Sequence, residues 1–293
     1  MAGLEPLIIE CSLNEQVTRE ASPYVPISDD EIVADALAAA DAGASIIHFH
    51  ARDVESGALL HPGTEVYRRI MRRIHAERPE LLVYPTYGAS PTKEERFSHL
   101  RALAEDDEVR MAFATIDPGA VNYADYDAAG RALGWDYVLS VSHEEMQYFL
   151  ELADRYDLVF SFVTRELGHV RHVLAYREMG WATRPLLLKP TMSENHAWGV
   201  APSRRGIEML TREVVPDDVP YRWMIYVEGD VHAELCRYAV ESGGHVRTGV
   251  GDNPRWGGEM LGNAAQVDRV ADLARKAGRS VATPDEVRAM LRA

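Results

Sequence analysis

The chain has almost no cysteine, no excess of positive charge and no long apolar run. Its two cysteines, Cys11 and Cys236, stand in no metal-binding spacing, the pattern of a reducing compartment. Cys11 lies among Ile8, Ile9 and Leu13, the setting of a small buried residue rather than of a nucleophile. Against 46 acidic residues there are 31 Lys and Arg, a formal charge of -15, which argues against a nucleic-acid surface. It does not exclude an anionic small substrate, because local Arg and Lys in a cleft override the global field. No basic N-terminal segment leads into an apolar core with a small-residue cleavage site, and no apolar stretch reaches membrane-spanning length. A cytoplasmic protein with no membrane partner is therefore expected. Interdomain linkers, low-complexity tracts and short repeats are also missing, so residues 1–293 are expected to form one domain.

What is present is an alternation of strands and helices. Leu7–Ser12 reads as a strand, and Ser28-Asp29-Asp30-Glu31 as a capping box that starts a helix running to Ala42, where Gly43 stops it. Ser45–His50 is a second strand, and Thr64–Glu77 a helix with Val66, Ile70 and Ile74 at helical spacing. Strands are expected again at Leu81–Thr86, Val109–Ile116, Leu158–Thr164, Pro185–Lys189, Tyr221–Val227 and His245–Gly249. Helices are expected at 92–104, 144–155, 168–180, 203–214, 231–242 and 263–277, and Thr283-Pro284-Asp285-Glu286 caps a short last one. The section around Asn122 and Tyr123 shows no clear period. Eight strands alternating with helices predict an α/β fold, a single (β/α)8 TIM barrel of parallel strands with a short C-terminal helix. A doubly wound sheet competes, but no Gly-x-Gly-x-x-Gly follows the first strand.

In a barrel the chemistry gathers at the C-terminal strand ends. His48-Phe49-His50 lies at such an end, and strand alternation turns both imidazoles to one side, a geometry suited to a divalent metal or to a pair of hydrogen-bonded histidines. The other strand ends contribute Glu10, Asn14, Thr86, Thr115, Asp117, Glu166, Lys189, His196, Glu228, Asp230, Arg247 and Asp252. In the glycine-rich segment Gly243–Asn253, Arg247 can grip a carboxylate and Asp252 can take a proton. His169 and His172 lie three apart on a helix, which suggests one exposed face rather than ligands.

Three stretches in order, Gly43–Asp53, Gly244–Asn253 and Ala282–Glu286, resemble the β-keto acid cleavage enzymes, and the likeness runs nearly end to end. The resemblance implies a Zn²⁺-dependent barrel, or one using another divalent metal. Such a barrel condenses a β-keto acid with acetyl-CoA as co-substrate and cleaves the adduct to acetoacetate and a new CoA thioester. It makes His48 and His50 metal ligands and pairs Arg247 with Asp252, the base that generates the carbanion. Thr86 falls where the family has a substrate-contacting serine, and Thr115 where it has a pocket threonine. Asn14, Gln16, Lys189 and His196 complete the expected substrate contacts. Alternatives are a CoA-independent metal-dependent retro-aldol lyase or hydrolase, and a catalytically altered family member.

The family pattern breaks twice. Its last strand usually ends in Leu-Glu-Asp, with the glutamate as third protein ligand; here Val250-Gly251-Asp252 stands instead. Glu228, at the end of the neighbouring strand, is the first substitute, Glu10 the next, and Asp252 the last because it would be lost as a base. Gln16 stands near a glutamate that binds a substrate amine in some members, which weakens the case for an amino-bearing keto acid; Glu15 is adjacent but of the wrong strand parity. The stretch Pro190–Trp198 reads as a loop that shapes the acyl pocket or makes an oligomer contact, and a homo-oligomer is expected.

Overall fold

The computed structural model describes residues 4–126 and 132–292. Eight parallel strands form a ring: β1 (Ile9–Ser12), β2 (Ile46–Phe49), β3 (Leu82–Pro85) and β4 (Phe113–Ile116) come before an antiparallel hairpin, β5 (Ala120–Tyr126) and β6 (Ala132–Ser140). The ring resumes with β7 (Val159–Thr164), β8 (Leu186–Ser193), β9 (Tyr221–Glu228) and β10 (His245–Thr248), and a small hairpin, β11 (Arg255–Trp256) and β12 (Glu259–Met260), follows. The order around the ring is β3-β2-β1-β10-β9-β8-β7-β4, and β3 meets β4 to close it. Around it stand α1 (Asp29–Asp41), α2 (Thr64–Glu77), α3 (Lys93–Arg96), α4 (Ser98–Ala104), α5 (His143–Arg155), α6 (Leu167–Glu178), α7 (Arg204–Leu210), α8 (His232–Ser242) and α9 (Asn263–Lys276). The TIM barrel read from the alternation is the observed fold.

Local chemistry explains the boundaries. Ser28 accepts from the Glu31 amide while the Glu31 carboxylate accepts from the Ser28 amide, closing the capping box of α1. The single helix expected over 92–104 is two, α3 and α4, separated at Phe97, whose backbone leaves helical geometry (φ -107°, ψ 10°).

The barrel interior is layered. Ile8, Ile46, Leu82, Phe113, Val159, Leu187 and Met224 fill its lower end, closed by Val287 and Leu291 of α10 (Pro284–Arg292). Each such side chain contributes about 1.5–3 kcal/mol by burial. The layer above is polar and fully buried: Glu10 accepts from Lys189 Nζ at 2.9 and 2.8 Å, from Tyr84 OH at 2.5 Å and from Arg247 Nη1 at 2.9 Å. Four hydrogen bonds from three donor groups satisfy this carboxylate in the low-dielectric interior.

Three expectations change. The section around Asn122 and Tyr123 is the β5–β6 hairpin, paired Val121 with Leu139 and Tyr123 with Tyr137. Residues 121, 123, 137 and 139 therefore share one face, which period-two alternation in so short and mixed a segment did not reveal. Pro190–Ser193 belongs to β8 rather than to a loop, since β8 keeps its register with β9 as far as Ser193 opposite Glu228. His169 is buried, not exposed, and both histidines of α6 support the hairpin base: His169 Nε2 meets the Ala120 carbonyl at 3.1 Å and His172 Nδ1 the Pro118 carbonyl at 2.8 Å.

Candidate active site and metal centre

A cavity of about 930 Å³ opens at the C-terminal end of the strands, within the range of small-molecule sites. His48 and His50 line it with Glu15, Gln16, Thr86, Thr115, Asp117, Arg165, His196, Tyr226, Glu228, Arg247 and Gly251, and the hairpin adds Tyr123, Tyr137 and Leu139.

Strand alternation brings the two imidazoles together, and a carboxylate sits between them. Glu15 Oε1 lies 3.0 Å from His48 Nε2, and Glu15 Oε2 lies 2.7 Å from His50 Nε2. One donor atom from each residue falls within 4.8 Å of the others, and among the described residues this is the one such group of three able to hold a metal. The His48 tautomer is fixed by its other nitrogen. Nδ1 faces the Tyr84 carbonyl at 3.2 Å, and a carbonyl only accepts, so Nδ1 carries the proton and Nε2 presents a lone pair. Burial, working against the Glu15 carboxylate, pushes the His48 pKa down to about 4, which keeps the ring neutral. A lone pair then faces a carboxylate oxygen at 3.0 Å, an arrangement that a cation between them resolves.

Glu15 holds this place with a backbone few residues adopt. Its φ is 34°, in the left-handed region. Arg52 anchors it, donating from Nη1 to the Glu15 carbonyl at 2.9 Å and to the Val17 carbonyl at 3.2 Å, and from Nε to the Gly57 carbonyl at 2.6 Å. Arg247 donates to Glu15 from the opposite side, and Ser12 Oγ lies 3.1 Å from Glu15 Oε1. Sequence reasoning missed Glu15 because it carried strand parity past Ser12, where the strand has ended. The available signal was Gly251: a glycine at that strand end leaves room for a neighbour's side chain. A Cβ on Gly251 would stand 2.9 Å from Glu15 Cγ.

Arg247 and Asp252 meet as expected, Nε to Oδ2 at 2.8 Å and Nη2 to Oδ1 at 2.7 Å, a two-bond grip. Burial raises the Asp252 carboxyl to about 6 against the pull of Arg247, with Glu15 and Glu228 adding to the rise. Arg247 lines the cavity and Asp252 lies behind it. Thr86, Thr115, Gln16 and His196 all reach the cavity wall.

Three expected site residues are placed differently. Glu228 stands outside the three-residue metal group; its Oε1 accepts from Tyr226 OH at 3.1 Å and its Oε2 is 3.9 Å from His196 Nε2. Asn14 spends its amide on backbone, donating to the Pro26 and His50 carbonyls at 3.1 Å each and accepting from the His50 amide at 2.8 Å. It locks the end of β2 instead of meeting the cavity. Lys189 is fully buried on Glu10, a layer below the cavity. Strand-end position predicted these two wrongly because it fixes height along the barrel only to about a residue, or about 3.3 Å. Arg165, Tyr87 and the hairpin tyrosines were not anticipated. Arg165 pairs with Asp117, which also accepts from Tyr87 OH.

No helix among the described residues is long and apolar enough to cross a membrane. The chain aligns with a 3-keto-5-aminohexanoate cleavage enzyme of Fusobacterium nucleatum at 27% identity over 98% of each chain. It is also 27% identical to a 3,5-dioxohexanoate:acetyl-CoA acetone transferase of Paraburkholderia graminis, over 99% of this chain and 97% of that one. Among solved structures, ObcA in ternary complex with a C4-CoA adduct and oxalate superposes with a TM-score of 0.69 at 16% identity, covering 92% of this chain and 68% of that one, a likeness of fold. The family model described as beta-keto acid cleavage enzyme matches residues 6–292, and with it the chain belongs to the β-keto acid cleavage enzyme family.

Proposed function

We propose that this enzyme transfers the acyl part of a β-keto acid to CoA, using acetyl-CoA as co-substrate and releasing acetoacetate, with a divalent metal, Zn²⁺ by its donor set, held by His48, His50 and Glu15. The observation that carries the reading is the lone pair of His48 Nε2 facing Glu15 Oε1 at 3.0 Å, beside His50 Nε2 on the other carboxylate oxygen. Two imidazoles and one carboxylate form a familiar catalytic zinc donor set. When bound, the metal supplies Lewis acidity toward the keto and carboxylate oxygens, which eases loss of a proton from the carbon between them.

The chain's own residues do the rest. Arg247 offers its guanidinium to the substrate carboxylate, and as it shares its grip Asp252 is released to take the proton. The resulting carbanion forms a carbon–carbon bond to the acetyl carbonyl, and the C–S bond breaks to give CoA thiolate. The thiolate then attacks the original keto carbon, the old carbon–carbon bond breaks, and Asp252 returns its proton to the carbon that becomes C2 of acetoacetate. Thr86 and Thr115, on the wall after β3 and in β4, hydrogen-bond the oxygens in play.

The test is metal analysis followed by a panel of β-keto acids with and without acetyl-CoA, following acetoacetate. The reading expects one equivalent of divalent metal and acetoacetate only when acetyl-CoA is present. Cleavage independent of CoA would overturn the transfer and leave the retro-aldol alternative.

A further inference from the structure

We infer that Arg165 is a catalytic residue of this enzyme, the donor that holds the carbonyl oxygen of the acetyl thioester while that oxygen carries charge. The inference rests on the proposed transfer reaction and adds an oxyanion site separate from the Glu15, His48 and His50 group.

Two neighbouring strands build the corner in which Arg165 stands. β4 and β7 pair with Thr115 opposite Ser161, Asp117 follows β4, and Arg165 follows β7. Round the ring this corner is reached from β2 through β3 and β4, and the histidines after β2 and Arg165 line the same cavity. Arg165 is only 7% exposed, and its carbonyl oxygen packs on Gly199, where a Cβ would stand 2.1 Å away. The guanidinium lies against two rings, 5.6 Å from the Tyr123 centroid and 5.4 Å from that of Trp198. Its Nη1 is bonded to Asp117 Oδ1. Asp117 Oδ2 accepts from Tyr87 OH, and the Asp117 amide donates to that same hydroxyl at 2.8 Å. Tyr87 and Asp117 thus fix where the guanidinium lies.

The rest of that guanidinium is unspent. Nε is buried with no hydrogen-bond partner, and Nη2 makes no bond to any described residue and is not shut off from the cavity that Arg165 lines. Burial lowers the Arg165 pKa, Arg247 adds to the fall, and Tyr226, Glu228 and Tyr87 oppose it; a guanidinium stays charged through such shifts. Among the described residues the cavity wall has one other arginine and no lysine. That other one, Arg247, is engaged at every nitrogen: Nε on Asp252, Nη1 on Glu10 and Tyr84, Nη2 on Ser12, Glu15 and Asp252. What Arg247 can release, the proposed reaction already uses at the substrate carboxylate. Arg165 is therefore the cation with a donor to spare.

Chemistry selects the occupant. The transfer develops negative charge on two carbonyl oxygens, that of the keto acid and that of the acetyl thioester. The first lies with the Glu15, His48 and His50 group in the proposed reaction, and the second needs a donor of its own. When the carbanion forms its bond to the acetyl carbon, the C=O π pair moves onto oxygen, and Arg165 Nη2 donates to that alkoxide. The pair then returns to re-form C=O as the C–S bond breaks and its electrons leave on sulfur. A donor fixed in advance by Asp117 and Tyr87 stabilises this charge without reorganising. A permanent anion suits the corner less, because the wall already carries Glu15, Asp117 and Glu228 against two arginines, and the Arg165 and Asp117 pair is neutral as a whole. A carbonyl oxygen arrives uncharged and takes up charge only in the intermediate.

The test compares metal-loaded wild-type enzyme with Arg165→Met and with the double variant Arg165→Met, Asp117→Asn, which leaves no unpaired carboxylate behind. Turnover of a β-keto acid with acetyl-CoA gives kcat. Calorimetry gives the affinity for acetoacetate and for two unreactive analogues of acetyl-CoA with CH₂ in place of sulfur, a methyl ketone and its trifluoromethyl counterpart, which hydrates to a tetrahedral carbon. Both variants should lose about 10²- to 10³-fold in kcat, as when an oxyanion donor is removed, and bind acetoacetate within about twofold of wild type. Wild type should bind the trifluoromethyl ketone about 10²-fold or more tighter than the methyl ketone, the margin of a transition-state analogue, and the variants should lose about tenfold or more of that ratio. Arg165→Lys, a point charge on a flexible stem, should fall between. A kcat or a ratio that survives in the variants overturns the inference. So does a loss of acetoacetate affinity as large as the loss in kcat, which would make Arg165 a clamp for the keto acid. If wild type cleaves no keto acid, the reaction reading falls and the calorimetric ratio still decides whether Arg165 holds the thioester oxygen.

Discussion

Gly251 is the floor against which Glu15 rests: a Cβ at position 251 would lie 2.6 Å from Ser12 Oγ, 2.9 Å from Glu15 Cγ and 3.0 Å from the Asn14 amide nitrogen. A side chain at position 251 and the Glu15 side chain would compete for one space. Gly251→Ala should push Glu15 off the histidines and weaken divalent-metal affinity about 10- to 100-fold, the usual size of a disturbed metal environment. Calorimetric titration of the metal-free protein measures this, with thermal unfolding as the control. Unchanged affinity would remove Glu15 from the metal group and return attention to Glu228.

Arg52 fixes the other side of Glu15. Its guanidinium spans the Glu15, Val17 and Gly57 carbonyls, tying the segment after β1 to the turn after β2. Arg52→Met removes several charged hydrogen bonds of about 1.5–3 kcal/mol each and frees Glu15 from its left-handed backbone. Metal affinity should fall along with stability. Arg52→Lys, with a single ammonium in place of a planar fork, should fall between the two.

Much of this was legible in the chain. The alternation, the capping boxes and the His-x-His pair follow from local rules, so the barrel and two of the three residues of the candidate metal group could be read directly. Glu15 could not, because its position depends on an unusual backbone angle and on an arginine 37 residues away. Lys189 and Asn14 misled for a related reason. Polar residues at strand ends are consumed as readily by buried carboxylates and backbone carbonyls as by a ligand, and only packing decides which. The β5–β6 hairpin escaped because its two halves pair with each other and not with the ring.

The Glu10 carboxylate, fully buried on Lys189, Tyr84 and Arg247, contributes to stability in a pH-dependent way. Burial would raise the Glu10 carboxyl, but Lys189 and Arg247 outweigh it and bring the pKa from 4.5 to about 2. Because the folded value lies below the unfolded one, this contribution is present above about pH 4.5 and is lost as pH falls through about 2. Glu10→Gln leaves the buried Lys189 without its carboxylate, while Arg247 keeps Asp252 and Glu15, and should cost about 3–5 kcal/mol at neutral pH. Urea denaturation should show that penalty shrinking as the pH is lowered.

In the proposed reaction Asp252 is the base, and it would set the acid limb of activity. Its carboxyl is raised to about 6 and must be ionised to accept a proton, so kcat/KM should fall as pH drops through about 6. The positive charge of a bound metal draws the limb lower, and exchanging one metal for another should move it. Asp252→Asn should lower kcat about 10²- to 10⁴-fold with metal affinity retained and should abolish the limb. A limb that persists in Asp252→Asn would assign the base elsewhere.

The central claim is tested most directly by isotope. Metal-loaded enzyme is given an unlabelled β-keto acid and acetyl-CoA carrying ¹³C in both acetyl carbons, and the acetoacetate is read by NMR. The account predicts label in the methyl ketone half of acetoacetate and none in its CH₂–carboxylate half, with no product from Glu15→Gln or His48→Ala protein. Unlabelled product, or labelled product at full rate from those two variants, would contradict it.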